Sequence, residues 1–256
     1  MLAAGCAAWA ERCSRAEVPL GSWPAVERHD NFVFHADFSL ERYQQALSEI
    51  GSLRRQLHEL LEIEISHDAV DVYLFSQHDT YESYLRRYLP GVPDRKALFV
   101  KSNSPGNVFA YLTPEFTVDL RHECTHAMLH ASLPNVPLWL DEGLAEYFEI
   151  APDQQSTAHV HLVSFRRSVR WRSAPSLAEL ESLDNLRQMG KREYRDAWAW
   201  VHFLVHGPPA AQQTLVEYLQ DLQAQRPTGR FSERLAQQLP DAERHMREHF
   251  VDWPVD

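Results

Sequence analysis

The sequence predicts an α+β protein: a small N-terminal α/β lobe with a mixed sheet, a helix pair carrying the site, and a helical C-terminal lobe. Three observations predict it. Segments with strand patterning all fall before residue 116, and every periodic segment after Phe116 has helical spacing. Between the two lies a pair of helical segments joined by Leu133-Pro134-Asn135-Val136-Pro137, whose prolines make a helix stop and a restart.

Residues 1–28 carry Pro, Gly and Ala without periodicity and read as leader and linker, ahead of one domain at 29–256 with lobes at 29–115 and 116–256. The stretch 31–38 alternates enough for a strand, and Ser39 is expected to cap a long helix reaching about residue 63, with Tyr43, Leu47, Ile50, Leu53 and Leu57 at core spacing. A strand at 69–75 and a helix at 78–88 follow, the latter ended by Pro90-Gly91-Val92-Pro93. Strands at 97–101 and 107–113 are separated by the turn-forming Asn103-Ser104-Pro105-Gly106. As an edge strand, 107–113 would hold an extended peptide by main-chain hydrogen bonds; its plainer reading is a strand packed by Phe109 and Tyr111. Further helices are expected near 161–171, 176–184, 193–206, 209–224 and 229–250. No internal repeat is evident.

A chain of 256 residues buries a sizeable core, and its formal net charge of -11 argues against nucleic acid or an anionic membrane as the main partner. The run Arg166-Arg167-Ser168-Val169-Arg170-Trp171-Arg172 is the exception and reads as a solvated helix face in preference to an anion or substrate contact. No transmembrane span is expected, because no apolar run reaches about 18 residues. Met1-Leu2-Ala3-Ala4-Gly5-Cys6-Ala7-Ala8 resembles the end of a bacterial lipoprotein signal without its charged and apolar parts. The preferred reading is a true start upstream, with a lipid anchor and a cell-envelope or extracytoplasmic location; the alternative is an Ala-rich leader. Cys13 could pair with an unlipidated Cys6, and Cys124 reads as a buried side chain, so three cysteines make no disulfide framework.

Chemistry enters with His122-Glu123-Cys124-Thr125-His126. Histidines four apart on a helix share a face, so two imidazoles can meet one metal ion, and the adjacent Glu123 sits where a carboxylate accepts a proton from a water the ion activates. The pentapeptide alone has a chance likelihood on the order of five per cent. The second segment, Leu138-Trp139-Leu140-Asp141-Glu142-Gly143-Leu144-Ala145-Glu146-Tyr147, strengthens it. Catalytic zinc takes three protein ligands, and His, His, Glu is an established set, which Glu142 completes. Glu146, one turn further on the same face, is placed to orient a ligating imidazole. His130 lies about 12 Å along the helix from His122 and is rejected as a ligand. The alternative pattern with a third His six residues on is absent, with Leu129 and Ser132 in its places.

These two segments resemble the gluzincin metallopeptidases, the group that includes thermolysin and the zinc aminopeptidases, and most closely a bacterial set of peptidase-MA-like domains. The likeness is carried by 122–149 and, more loosely, by Val72-Tyr73-Leu74-Phe75 and the segment 194–204, so it spans about residues 65–250. It implies a zincin-like fold, zinc at His122, His126 and Glu142, and Glu123 as general base and acid. The gap between His126 and Glu142 is slightly shorter than in the zinc aminopeptidases and their amine-anchoring signature is not recognisable, so aminopeptidase specificity is not implied.

Tyr194, Trp198 and His202 repeat every four residues and share a helix face. Trp198 reads as core, while the Tyr194 hydroxyl is a candidate oxyanion donor, with His202 as the alternative donor or a satisfied core histidine. The function expected is zinc-dependent hydrolysis of a peptide or protein substrate, with Glu123 and Tyr194 catalytic. Two alternatives stand beside it: a metal-holding but non-hydrolytic envelope scaffold of the same fold, and a metal-free helical interaction domain.

Overall fold

The computed structural model describes residues 23–93, 95–101, 106–171 and 174–254. They form an α+β protein with a mixed five-stranded sheet, divided into two compact units, 23–54 with 66–131 and 55–65 with 132–254. The first site helix therefore clusters with the sheet and not, as the helical spacing after 116 predicts, with the helical lobe.

In the sheet unit, strands β1 (Ala25–His29), β2 (Phe32–Ala36), β3 (Val70–Phe75), β4 (Ala97–Val100) and β5 (Asn107–Tyr111) lie in the order β1-β2-β3-β5-β4. The three central strands are parallel, and β1 and β4 pair antiparallel at the two edges. Strand β1 corrects the leader reading for residues 25–28; residues 1–22, with the lipoprotein-like stretch, lie outside the described residues. Its sequence, Ala-Val-Glu-Arg-His, is polar and half exposed, as suits an edge strand, and hides the strand signal. The register pairs His29 with Phe32 and leaves Asp30-Asn31 as the turn, with Asp30 at φ 53, the residue type that tolerates left-handed backbone.

Strand β5 is not an edge, which corrects the second expectation. Its buried run Val108-Phe109-Ala110 sits between β3 and β4, and a strand covered on both faces reads as continuous apolar sequence. The expected turn at 103–106 lies, apart from Gly106, outside the described residues. One face of the sheet carries Tyr73, Phe75, Leu98, Val100 and Phe109, packed with Tyr81, Leu85 and Leu89 of helix α3 (His78–Tyr88) and the residue just after it.

The single helix expected from Ser39 is a 3-10 turn (Glu41–Tyr43) followed by α1 (Gln44–Gly51) and α2 (Leu53–Leu61). The break falls at Ser52, whose hydroxyl donates to the Glu49 carbonyl at 2.7 Å, a local bond that competes with helix continuation. Helix α4 (Phe116–Ser132) ends the unit, held by Arg121, which donates to the Glu49 carbonyl at 3.3 Å, and by Asn31 Nδ2, 3.2 Å from the Met128 sulfur.

In the helical unit, α5 (Leu138–Phe148), α6 (Val160–Val169), α7 (Leu177–Glu181), α8 (Lys191–His206) and α9 (Pro209–Gln223) follow the expected order. The last expected helix is two, α10 (Phe231–Gln238) and α11 (Ala242–Asp252), parted at Pro240-Asp241, where Asp241 has φ 57 and proline withholds a donor. Among the described residues no helix is long and apolar enough to cross a membrane.

Candidate metal centre

Helix α4 is buried nearly all round, yet four polar residues, Arg121, Glu123, Thr125 and His126, are among its buried side chains. Burial of ionisable groups is costly unless each has a partner or a metal to meet. Arg121 is 1% exposed; burial lowers its pKa, and Thr125 Oγ1 donates to its carbonyl at 2.9 Å. His122 and His126 turn their rings toward each other, centroids 4.9 Å apart and Nε2 atoms 3.2 Å apart. Two nitrogens bound tetrahedrally at 2.0–2.1 Å to one ion stand about 3.3 Å apart. The pair is thus spaced to hold a metal ion, and the same separation suits an N–H···N hydrogen bond between neutral rings when no cation is held.

Glu123 is 9% exposed, and its Oε2 accepts the Phe99 backbone N–H at 2.7 Å. The register explains why that amide is available. Lys96 bonds to Tyr111, so in the antiparallel pair of β4 with β5 the groups of Leu98 and Val100 face inward and those of Phe99 face the free edge. Glu123 therefore reads the outward side of β4. His130 lies flat on Phe99, centroids 5.5 Å apart, with Nδ1 3.4 Å from Lys101 Nζ. Cys124 is fully buried, and burial raises its thiol pKa well above the ordinary range, which leaves it neither nucleophile nor ready ligand.

In the helical unit, α5 starts where expected, with Pro137 ahead of its first turn and accepting from the Leu140 and Asp141 N–H groups. Glu142 is 4% exposed, and Glu146 follows it by one turn. Gly143 between them is a packing requirement. A Cβ there would lie 2.7 Å from the Ala197 carbonyl oxygen and 2.8 Å from Val201 Cγ2, so only glycine lets α5 and α8 approach so closely.

The partners of Glu146 come from outside the two motif segments. His161 Nε2 lies 3.1 Å from its carboxylate, and His159 Nε2–H donates to its carbonyl at 3.0 Å. His159 Nδ1 accepts from the His161 N–H, capping α6, and its ring stacks on Trp198 at 4.6 Å. The legible signal was two histidines bracketing Val160, just ahead of a helical stretch.

Trp198 is fully buried, as read. Contacts step up α5 and α8 together, Gly143 against Ala197 and Val201 and Tyr147 against His206, so the two helices run in the same direction. Tyr194, in the first turn of α8, then lies about one turn nearer the N-terminal ends than Glu142. His202 is committed elsewhere. Its Nε2–H donates to the Ser156 carbonyl at 3.0 Å, and its Nδ1 accepts from His249 Nε2 at 3.1 Å. That makes it the satisfied core histidine of the two readings.

No protein-family model matches the chain, and no curated protein matches it.

Proposed function

We propose that the protein is a zinc-dependent hydrolase of gluzincin type that cleaves peptide bonds. The observation that carries the reading is the His122 and His126 pair, with Nε2 atoms 3.2 Å apart on a buried helix face beside the buried Glu123. Two convergent imidazoles and an adjacent carboxylate are what ion-assisted water activation requires. Glu142 is the proposed third ligand, from the helix that five residues separate from α4.

Held by His122, His126 and Glu142, zinc would supply Lewis acidity, which lowers the pKa of a water toward about 7. Glu123 accepts the proton of the attacking water and delivers it to the leaving amine. Glu146 is the proposed orienting carboxylate, and His161 on its oxygen fixes that side chain in place. Tyr194 is the proposed donor to the oxyanion, His202 being occupied. The free edge of β4, not β5, is where an extended substrate backbone would add.

One observation favours the non-hydrolytic scaffold: the Glu123 carboxylate already has a structural task, the Phe99 N–H. Elemental analysis of purified protein, followed by a digest of a proteome-derived peptide library with parent and Glu123→Gln, separates the readings. Stoichiometric zinc with cleavage by the parent alone supports the peptidase. Zinc without cleavage supports the scaffold, and protein lacking zinc rejects both.

A further inference from the structure

Helix α6 has two apolar stripes, and the core uses only one. Leu162, Phe165 and Val169 are buried, and Phe165 meets Phe250 of α11 at 4.6 Å. On the opposite side Val160 is 75% exposed and Val163 69%, and Trp171, in the turn that closes the helix, is 86% exposed. Spacings of three, four and four along Val160, Val163, Arg167 and Trp171 place them on one outward stripe. Arg167 and Arg170 are exposed on that side, and a shallow hollow lined by Ser164, Arg167, Ser168, Trp171 and Arg195 opens there.

The charge around the stripe opposes that of the chain. Residues 154–178 contain four arginines, two histidines and no Asp or Glu, in a protein with 36 acidic residues. Net charge describes the far field, but exposed charges act over about 10 Å at 0.1 M salt, so a local cationic face can bind what the whole chain repels. Exposed indole beside valines and arginines on one helix side is the chemistry of the bilayer interface, where the ring sits at headgroup depth and guanidinium groups reach lipid phosphates.

We propose that the outward face of α6, formed by Val160, Val163, Arg167 and Trp171 with Arg170 at its flank, is a peripheral docking surface for an anionic lipid bilayer. The contact is shallow and reversible, since three apolar side chains are far from an acyl anchor. It is independent of the hydrolytic reading.

Flotation of the full chain with vesicles of phosphatidylcholine alone, and with phosphatidylglycerol added, tests it. The parent is expected to float with the anionic vesicles only, and to be released by high salt. Arg167→Glu with Arg170→Glu should lower partitioning ten-fold or more, and Trp171→Ser several-fold, each with an unchanged circular dichroism spectrum and melting midpoint. Equal flotation with both vesicle types, none with either, or variants that float like the parent would overturn the proposal. So would retention on an acidic polypeptide without vesicle binding, which would assign the face to an acidic protein.

Discussion

Glu123 has an observed structural task and a proposed catalytic one, and substitution separates them. Glutamine keeps an amide oxygen that can accept the Phe99 N–H, bonded at 2.7 Å in the parent, but it cannot carry a proton. Glu123→Gln is therefore expected to retain zinc and melt within a degree or so of the parent while losing at least a hundred-fold in hydrolysis, the general-base contribution being about 10²–10⁴-fold. Alanine also leaves a buried N–H without its acceptor, so Glu123→Ala should cost a further ~1–3 kcal/mol in denaturant unfolding. Equal stability of the two variants would remove the structural task, and undiminished turnover by the glutamine variant would remove the catalytic one. His202→Gln, by contrast, should alter stability and leave the catalytic rate in place, because both ring nitrogens are used within the fold.

The elements most legible in the sequence were those whose signals are local. The helix at 78–88 sits between polar starts and a Pro-Gly-Val-Pro stop, and the observed α3 has those bounds; α4 and α5 end and begin at the residues the two prolines of 133–137 suggest. What escaped depends on long-range pairing. Nothing in Ala25-Val26-Glu27-Arg28-His29 announces a strand until Phe32–Ala36 lies beside it, and the order β3-β5-β4 cannot be read from spacing. In the candidate site, the proposed ligand and base residues stand out because their spacing is short, whereas His159 and His161 needed the fold to bring them to Glu146, thirteen and fifteen residues upstream. Gly143 shows the same division. It looks like an interruption in a helix, yet it is the point where α5 meets α8. Gly143→Ala must push Ala197 and Val201 away, and an over-packed helix contact costs about 1–3 kcal/mol. A lower urea midpoint together with weakened zinc retention is the expected result, since Glu142 is the adjacent residue. A variant as stable as the parent would show that the contact is loose.

At the scale of the whole molecule, acid stability depends on the histidines where α11 docks on α8. His249 Nε2 donates to His202 Nδ1, the Tyr147 hydroxyl lies 2.8 Å from His206 Nε2, and Trp253 Nε1 donates to the Ser156 carbonyl that His202 also uses. The bond from His249 requires a neutral His202 ring, because Nδ1 must keep its lone pair to accept it. Burial lowers the pKa of all three histidines, that of His249 to about 4 from an ordinary 6.5 with a further push from His206. The unfolded chain therefore binds more protons than the folded one between about pH 4 and 6.5, so stability is whole above 6.5 and falls as the pH drops through that window. For His249 alone the loss is at most about 3 kcal/mol at the lower end. Glu248 and Asp252, on the same stretch of α11, line the hollow beside these rings and partly offset the cost of protonation while they stay ionised. His249→Gln keeps a donor toward His202 and removes one titration, so its unfolding free energy should fall less steeply than the parent's from pH 6.5 to about 4. Both proteins are compared after chelation, which makes titration of His122 and His126 common to the pair. Parallel pH profiles would mean that His249 is not held neutral, and that α11 docks through its apolar residues Met246 and Phe250 alone.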